Sequence, residues 1–141
     1  MGKCYNSAVI NGSIESVWKR VRDFHDLSWG DAIVTKVDIV GDVSGVDAGA
    51  QRILNDVFHE KLVSVDGENF SFTYSIEDGP EPLNKGAVKY YVGEVTLYPI
   101  TDSNQTFIEW ISTFESNNDV GIADFCNPIY AGLLSSLKSK F

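Results

Sequence analysis

Cysteine is scarce in this sequence, and the two residues present exclude a disulfide framework. Cys4 and Cys126 are the only cysteines in 141 residues, whereas small disulfide-stapled domains carry four or more. We interpret both as small buried hydrophobic side chains. No cysteine or carboxylate stands at metal-ligand spacing from either of the two histidines, His25 and His59, so we expect no metal site and no cofactor.

Long apolar runs and basic residues are scarce too. No apolar run approaches the ~20 residues of a membrane-spanning helix, and the first ten residues lack the basic and then apolar layout of a secretory signal. We therefore expect a cytoplasmic protein without membrane insertion. Eleven Lys and Arg against 20 Asp and Glu give a net charge of −9. The bases are scattered rather than striped, which argues against a nucleic acid partner.

Hydrophobic residues are plentiful, at 43% of the chain, and predict one domain over residues 1–141 with its own core. Ser13 is placed as the N-cap of a helix over 14–23, and 24–30 predicts a loop or a short second helix. Apolar residues at helical spacing predict a C-terminal helix over 119–141, kinked at Pro128. Apolar stretches between short polar turns predict strands over 3–10, 33–40, 49–54, 57–65, 70–77, 86–99 and 105–115.

This order of elements predicts an α+β fold. A curved antiparallel sheet of about seven strands would wrap around the long C-terminal helix, with one or two short helices after the first strand. Only the terminal helix is long enough to cover the apolar face of such a sheet. A curved sheet around one helix leaves a hollow, and we expect the function to reside there.

Strand alternation predicts which side chains face the hollow, because successive residues point to opposite faces. Two apolar faces are Phe70, Phe72, Tyr74 and Ile76 on one strand and Tyr91, Gly93, Val95 and Leu97 on the next. Gly93 indicates either a bulge or a close approach to the backbone. On the last strand both parities are apolar, so the inward set is either Phe107, Glu109 and Ile111 or Ile108, Trp110, Ser112 and Phe114.

Arg52 and Glu60 flank the short turn at Asn55 and Asp56, so a hairpin there would place them side by side. One interpretation is an inward pair that orients a ligand in an apolar pocket. The other is a cross-strand ion pair on the surface, worth about 1 kcal/mol or less. Trp29, after the first helix, is interpreted as packing in the core or at the rim of the hollow.

Six segments carry a resemblance to a known family: 14–18, 23–29, 60–66, 72–76, 106–110 and 130–138. In their order they resemble members of the START-like superfamily, also called SRPBCC or polyketide cyclase-like, whose fold is the helix-grip. The resemblance implies that the hollow holds a small hydrophobic ligand that is lipid, aromatic or polyketide-like. It implies pocket positions at Glu60, Tyr74, Ile76, Tyr91, Gly93, Glu109, Phe125, Ile129 and Leu133. To these we add Trp29, Arg52, Leu62 and Phe72 as candidate ligand-binding residues.

The resemblance leaves three functions open. The first is binding, transport or sensing of the hydrophobic ligand. The second is an enzyme of polyketide cyclase, aromatase or dehydratase type, in which Glu60 removes a proton and Arg52 or Tyr74 stabilises the enolate oxygen. The third is a protein-interaction domain, which would need an exposed apolar patch. A gate-and-latch switch of the plant hormone-receptor kind is disfavoured, because the gate loop is replaced by the short Asn55-Asp56 turn.

Overall fold

The computed structural model describes all 141 residues, Met1 to Phe141. A single 3-10 turn, Ser28–Gly30, follows the first helix. The other elements, in chain order, are β1 (Gly2–Ile10), α1 (Ile14–Val21), β2 (Val37–Val40), β3 (Gln51–Leu54), β4 (Phe58–Asp66), β5 (Ser71–Asp78), β6 (Val88–Ile100), β7 (Gln105–Ser116) and α2 (Asp119–Ser139). The predicted α+β helix-grip fold is confirmed.

The seven strands form one antiparallel sheet in the order β1-β7-β6-β5-β4-β3-β2. Register shifts interrupt β4 between His59 and Glu60 and between Leu62 and Ser64, and a further shift lies near the start of β6. Such bulges bend a strand and increase its local twist, which helps the sheet to curve. The concave face packs against α1 and against α2, which also contacts the 3-10 turn.

Both helices begin where the sequence provides a capping side chain. Ser13 accepts a hydrogen bond from the Ser16 amide at the start of α1, and Asn118 does the same for the Gly121 amide at the start of α2. These caps satisfy amides that have no partner within the helix. The Pro128 of the predicted kink lies inside α2. Neither helix combines the length and hydropathy that a membrane-crossing helix requires.

The strand β2 begins at Val37, so the prediction that it starts near residue 33 is wrong. The Asn55 side chain holds residues 33–36, which precede β2, outside the sheet. Its amide oxygen accepts hydrogen bonds from the backbone N–H groups of Thr35 and Lys36, at 2.9 and 3.2 Å, and its amide nitrogen donates to the Ile33 carbonyl at 3.0 Å. The Ile33 and Val34 amides donate to the Gly30 carbonyl, so the backbone groups of residues 33–36 bond to Gly30 and to the Asn55 turn rather than to a ladder.

Two further strand predictions are resolved by the structure. Phe70 adopts a positive φ of 51° and lies in the turn, so β5 begins one residue later. On β7 the alternation left open between two sets is settled by burial. Its buried inward residues are Thr106, Ile108, Trp110, Ser112 and Phe114.

Candidate functional site

A cavity of about 250 Å³ lies between the concave face of the sheet and α2. Of the 15 residues that line it, 12 are hydrophobic. They come from β3, β4, β5, β7, α2 and the segment that follows α1. The lining residues are Leu27, Ile33, Val34, Arg52, Leu54, Asn55, Phe58, Glu60, Tyr74, Ile76, Trp110, Cys126, Ile129, Tyr130 and Leu133.

A buried ion pair forms the polar part of the cavity wall. Arg52 and Glu60 are directly opposite each other in the β3–β4 ladder. Their side chains are only 5% and 7% exposed, and Nη2 of Arg52 lies 2.6 Å from Oε1 of Glu60. Leu54 pairs with Phe58, so a three-residue turn sets this register, with positive φ angles of 52° and 64° at its first two residues, Asn55 and Asp56. The pair therefore faces inward, and the interpretation as a surface ion pair is wrong.

The Arg52 guanidinium is held on three sides. Its Nε donates to Oε1 of Glu60 at 2.8 Å, and its Nη1 donates to the carbonyl oxygen of Phe24 at 2.8 Å. Its Cζ atom lies 3.7 Å from the centroid of the Phe24 ring, within the range of a cation–π interaction. These contacts fix the cation against the wall of the cavity.

Glu60 has one engaged and one open carboxylate oxygen. The hydrogen bond from Nε of Arg52 and the ion-pair contact with Nη2 both involve Oε1, and Oε2 accepts no hydrogen bond from the protein. Burial raises the pKa of Glu60 above its ordinary value, and the neighbouring Arg52 charge opposes that shift. No three His, Cys, Asp or Glu side chains converge on a position that would hold a metal ion.

A network of buried hydroxyl groups also borders the cavity. Trp110 Nε1 donates to the Tyr74 hydroxyl at 3.0 Å, and that hydroxyl donates to the Tyr130 hydroxyl at 3.1 Å. Ser112 Oγ donates to the same Tyr130 oxygen at 2.9 Å, and the Tyr91 hydroxyl also bonds to it. Burial raises the pKa of all three tyrosines, so their hydroxyls stay protonated.

The structure brings part of the sequence-predicted set together around the cavity. The candidate residues in its lining are Arg52, Glu60, Tyr74, Ile76, Ile129 and Leu133. Four others lie in the packed core instead: Trp29, Leu62, Phe72 and Tyr91. Trp29 packs against Trp110 with ring centroids 6.4 Å apart. Phe125 is half-buried and stacks on the lining residue Phe58, which places it one layer behind the cavity.

Gly93 and Glu109 do not reach the cavity. Gly93 is paired with Tyr74 across β5 and β6, and a Cβ atom at residue 93 would lie 2.3 Å from Cζ of that tyrosine. The glycine therefore makes room for a protein side chain. Glu109 lies on the outer face of β7, where it accepts a hydrogen bond from the Tyr5 hydroxyl at 2.8 Å.

Sequence reasoning missed several lining residues for two different reasons. Leu54 and Phe58 have the same strand parity as Arg52 and Glu60, so alternation could have identified them. Trp110 belongs to one of the two sets that alternation left open on β7. The others carry no local signal, because they reach the cavity from a connection, a turn or the flank of a helix. These residues are Leu27, Ile33, Val34, Asn55, Cys126 and Tyr130.

Comparisons with known proteins agree with this geometry. Among solved structures, a protein from Nitrosospira multiformis is 35% identical, with a TM-score of 0.95 and an alignment that covers 99% of this chain and 95% of that chain. XoxI from Bacillus cereus is 24% identical, with a TM-score of 0.82 and coverage of 100% and 96%. No curated protein matches the sequence significantly.

A more distant structure shares the fold. Norcoclaurine synthase from Thalictrum flavum, solved in complex with dopamine and hydroxybenzaldehyde, is 16% identical with a TM-score of 0.74, and the alignment covers 98% of this chain and 84% of that chain. The family model described as polyketide cyclase / dehydrase and lipid transport matches residues 1–141. The chain therefore belongs to the polyketide cyclase / dehydrase and lipid transport family.

Proposed function

We propose that the protein binds a small apolar or aromatic molecule in the cavity between the sheet and α2, as a carrier or a sensor. The observation that carries the proposal is the cavity itself, about 250 Å³ in volume and lined by 12 hydrophobic residues around one buried ion pair. Pockets of this type gain affinity from apolar burial, and a few polar groups orient the ligand. Each 100 Å² of apolar ligand surface removed from water contributes about 2.5 kcal/mol.

The cavity volume supports a ligand of one or two rings. An engineered apolar cavity of roughly 150 Å³ holds benzene, whereas sites for drug-sized molecules begin near roughly 300 Å³. The cavity here, about 250 Å³, lies between these limits. Norcoclaurine synthase, which shares the fold, is solved with two single-ring aromatic molecules. Long acyl chains and extended polyketides exceed this volume, so only part of such a molecule would fit inside the cavity.

A thermal-shift screen tests the proposal. Phenols, bicyclic aromatics, flavonoids, fatty acids and aromatic polyketides should be compared at equal concentration. At 100 times its Kd, a ligand of the native state adds ~2.7 kcal/mol, or roughly 5 to 10 °C in Tm for a chain of this size. We expect one- and two-ring compounds to stabilise the protein. Failure of every compound, with native mass spectrometry also showing no complex, would contradict the proposal.

One observation favours an enzyme of cyclase or dehydratase type as the second candidate. The carboxylate of Glu60 faces the cavity, and burial raises its pKa, as a general base requires. In that role Glu60 would remove an acidic proton from the ligand, and Arg52 would stabilise the enolate oxygen. Turnover of small poly-keto substrates that stops in Glu60→Gln while binding persists would favour this candidate. Binding without any turnover would favour the carrier.

A further inference from the structure

We infer that the cavity recognises its ligand through an uncharged hydroxyl group, which donates a hydrogen bond to Oε2 of Glu60. This inference rests on the proposed function and specifies its ligand class as phenols and cyclic alcohols. The argument depends on which hydrogen-bonding groups in the cavity wall are already used and which are open.

The open group is an acceptor. Oε1 of Glu60 accepts the hydrogen bond from Nε of Arg52 and lies in ion-pair contact with Nη2, and Oε2 accepts no hydrogen bond. Among buried side-chain nitrogens and oxygens without a hydrogen-bond partner, only Trp29 Nε1 has no accessible surface. Oε2 of Glu60 also has no partner, so it retains some accessible surface. Glu60 lines the cavity, and we assign Oε2 to the cavity side, where a ligand that fills the cavity would cover this oxygen. A ligand without a donor would leave the carboxylate oxygen desolvated and unpaired, which is costly for a charged group.

The tyrosine hydroxyls that border the cavity have no free proton to donate to a ligand. A phenolic hydroxyl has one proton and can accept two hydrogen bonds. Tyr74 donates its proton to Tyr130, which also accepts from Ser112. Tyr130 must therefore donate its own proton to its third neighbour, Tyr91. Tyr74 and Tyr130, the two tyrosines in the lining, thus have no proton left for a carbonyl group on a ligand.

The charge of the wall disfavours an anionic ligand. Arg52 and Glu60 neutralise each other at 2.6 Å, so no unpaired cation faces the cavity. A carboxylate ligand would enter a water-poor space that already holds a carboxylate. The guanidinium has five N–H donors; Nε and Nη1 each donate one hydrogen bond, to Glu60 and Phe24, and Nη2 lies in ion-pair contact with Glu60. A ligand hydroxyl can accept from one of the others while it donates to Oε2, whereas an ether or a ketone can only accept.

Four naphthalene compounds of nearly equal shape test the inference: naphthalene, 2-naphthol, 2-acetonaphthone and 2-naphthoate. Their Kd values should be measured by calorimetry for the full chain and for Glu60→Gln. We expect the unmodified protein to bind 2-naphthol about 10- to 100-fold more tightly than naphthalene or the ketone, and the naphthoate least. In Glu60→Gln the side-chain oxygen pairs with Arg52 and the amide N–H₂ replaces Oε2, so the preference between naphthol and ketone should reverse.

Glu94→Gln, the same chemical change at an exposed position on the outer face of β6, is the matched control and should keep the original order of affinities. If the unmodified protein binds naphthalene, 2-naphthol and 2-acetonaphthone equally, the inference is overturned while the proposed binding function stands. If none of the four compounds binds while the thermal-shift screen finds another stabilising ligand, the inference is overturned and the proposed function stands; if the screen also finds none, both are overturned. Should Glu60→Gln fail to fold, the ranking on the unmodified protein decides the question alone.

Discussion

The buried ion pair allows a sharp prediction about stability. Replacing Arg52 by Met leaves the Glu60 carboxylate 7% exposed and without its partner. Breaking such a pair from one side costs about 3–5 kcal/mol, because an uncompensated charge stays buried. Removing both charges, in Arg52→Met with Glu60→Leu, also removes the desolvation cost. We expect that double variant to lie within about 2 kcal/mol of the unmodified protein.

The pH dependence of the single variant identifies the cause. Burial raises the pKa of Glu60 above its ordinary 4.5, and Arg52 opposes this rise. In Arg52→Met burial acts alone, so the folded-state pKa rises further above the unfolded one. The folded state then binds the proton more tightly, and this stability is present below pH 4.5 and lost as the pH rises through the folded pKa. The deficit of Arg52→Met should therefore be largest at neutral pH and shrink toward pH 4.5.

Urea unfolding followed by circular dichroism between pH 5 and 8 measures these differences, and subtraction of the unmodified protein cancels the other carboxylates. The double variant is the control: because it has no carboxylate at residue 60, its deficit should not grow as the pH rises, in contrast to that of Arg52→Met. Two results would refute the reasoning. One is a cost below about 1 kcal/mol for Arg52→Met, the value of a solvated pair. The other is a double variant whose loss of stability equals the sum of the losses measured for Arg52→Met and Glu60→Leu separately.

Three further outcomes are expected. Gly93→Ala should lower the stability by about 1–3 kcal/mol through overpacking, because the new Cβ would lie 2.3 Å from the buried ring of Tyr74. Gly67→Ala is the control and should change the stability by less, since no atom lies within 4 Å of its Cβ position. Equal urea midpoints for the two variants would contradict this. Tyr130→Phe should cost about 1–3 kcal/mol by leaving buried hydroxyls unpaired, whereas Tyr98→Phe, exposed at 47%, should be nearly neutral. Burial raises the pKa of the Cys126 thiol to about 11, so a thiol reagent at pH 8 should modify it only after unfolding; rapid modification of the folded protein would contradict its burial.

Much of the fold could be predicted because the relevant signals are local. Alternating apolar residues mark the strands, and short polar turns fix their order, so the antiparallel meander follows from the sequence. The wrong prediction of the start of β2 shows what local sequence signals do not contain. Ile33 and Val34 are apolar and β-branched, as a strand requires, yet Asn55 binds their segment from another part of the chain. A side chain 20 residues away in sequence gives no sign of this in the segment itself.

The candidate site was predictable only in part, for a related physical reason. Alternation identifies side chains that face the concave side of the sheet, and Tyr91, Phe72 and Leu62 do face inward. It does not identify which part of that concavity stays empty. Here Tyr91 stacks on Phe114 with ring centroids 5.2 Å apart, in a region that is filled. The empty part depends on how α2 and the segment after α1 pack against the sheet, which no single strand encodes.

The cavity also lowers the free energy of unfolding of the protein. Enclosed empty volume in a protein core destabilises by roughly 24 cal/mol per Å³, so a closed void of about 250 Å³ would cost about 6 kcal/mol, and this cavity, which is partly open to solvent, costs less. That upper limit is comparable to the entire stability of a typical domain, ~5–15 kcal/mol. The rings around the cavity resist collapse because their polar atoms are fixed, with Tyr74 bonded to Trp110 and to Tyr130. A ligand that fills the space would recover part of this loss, so binding and stability should rise together.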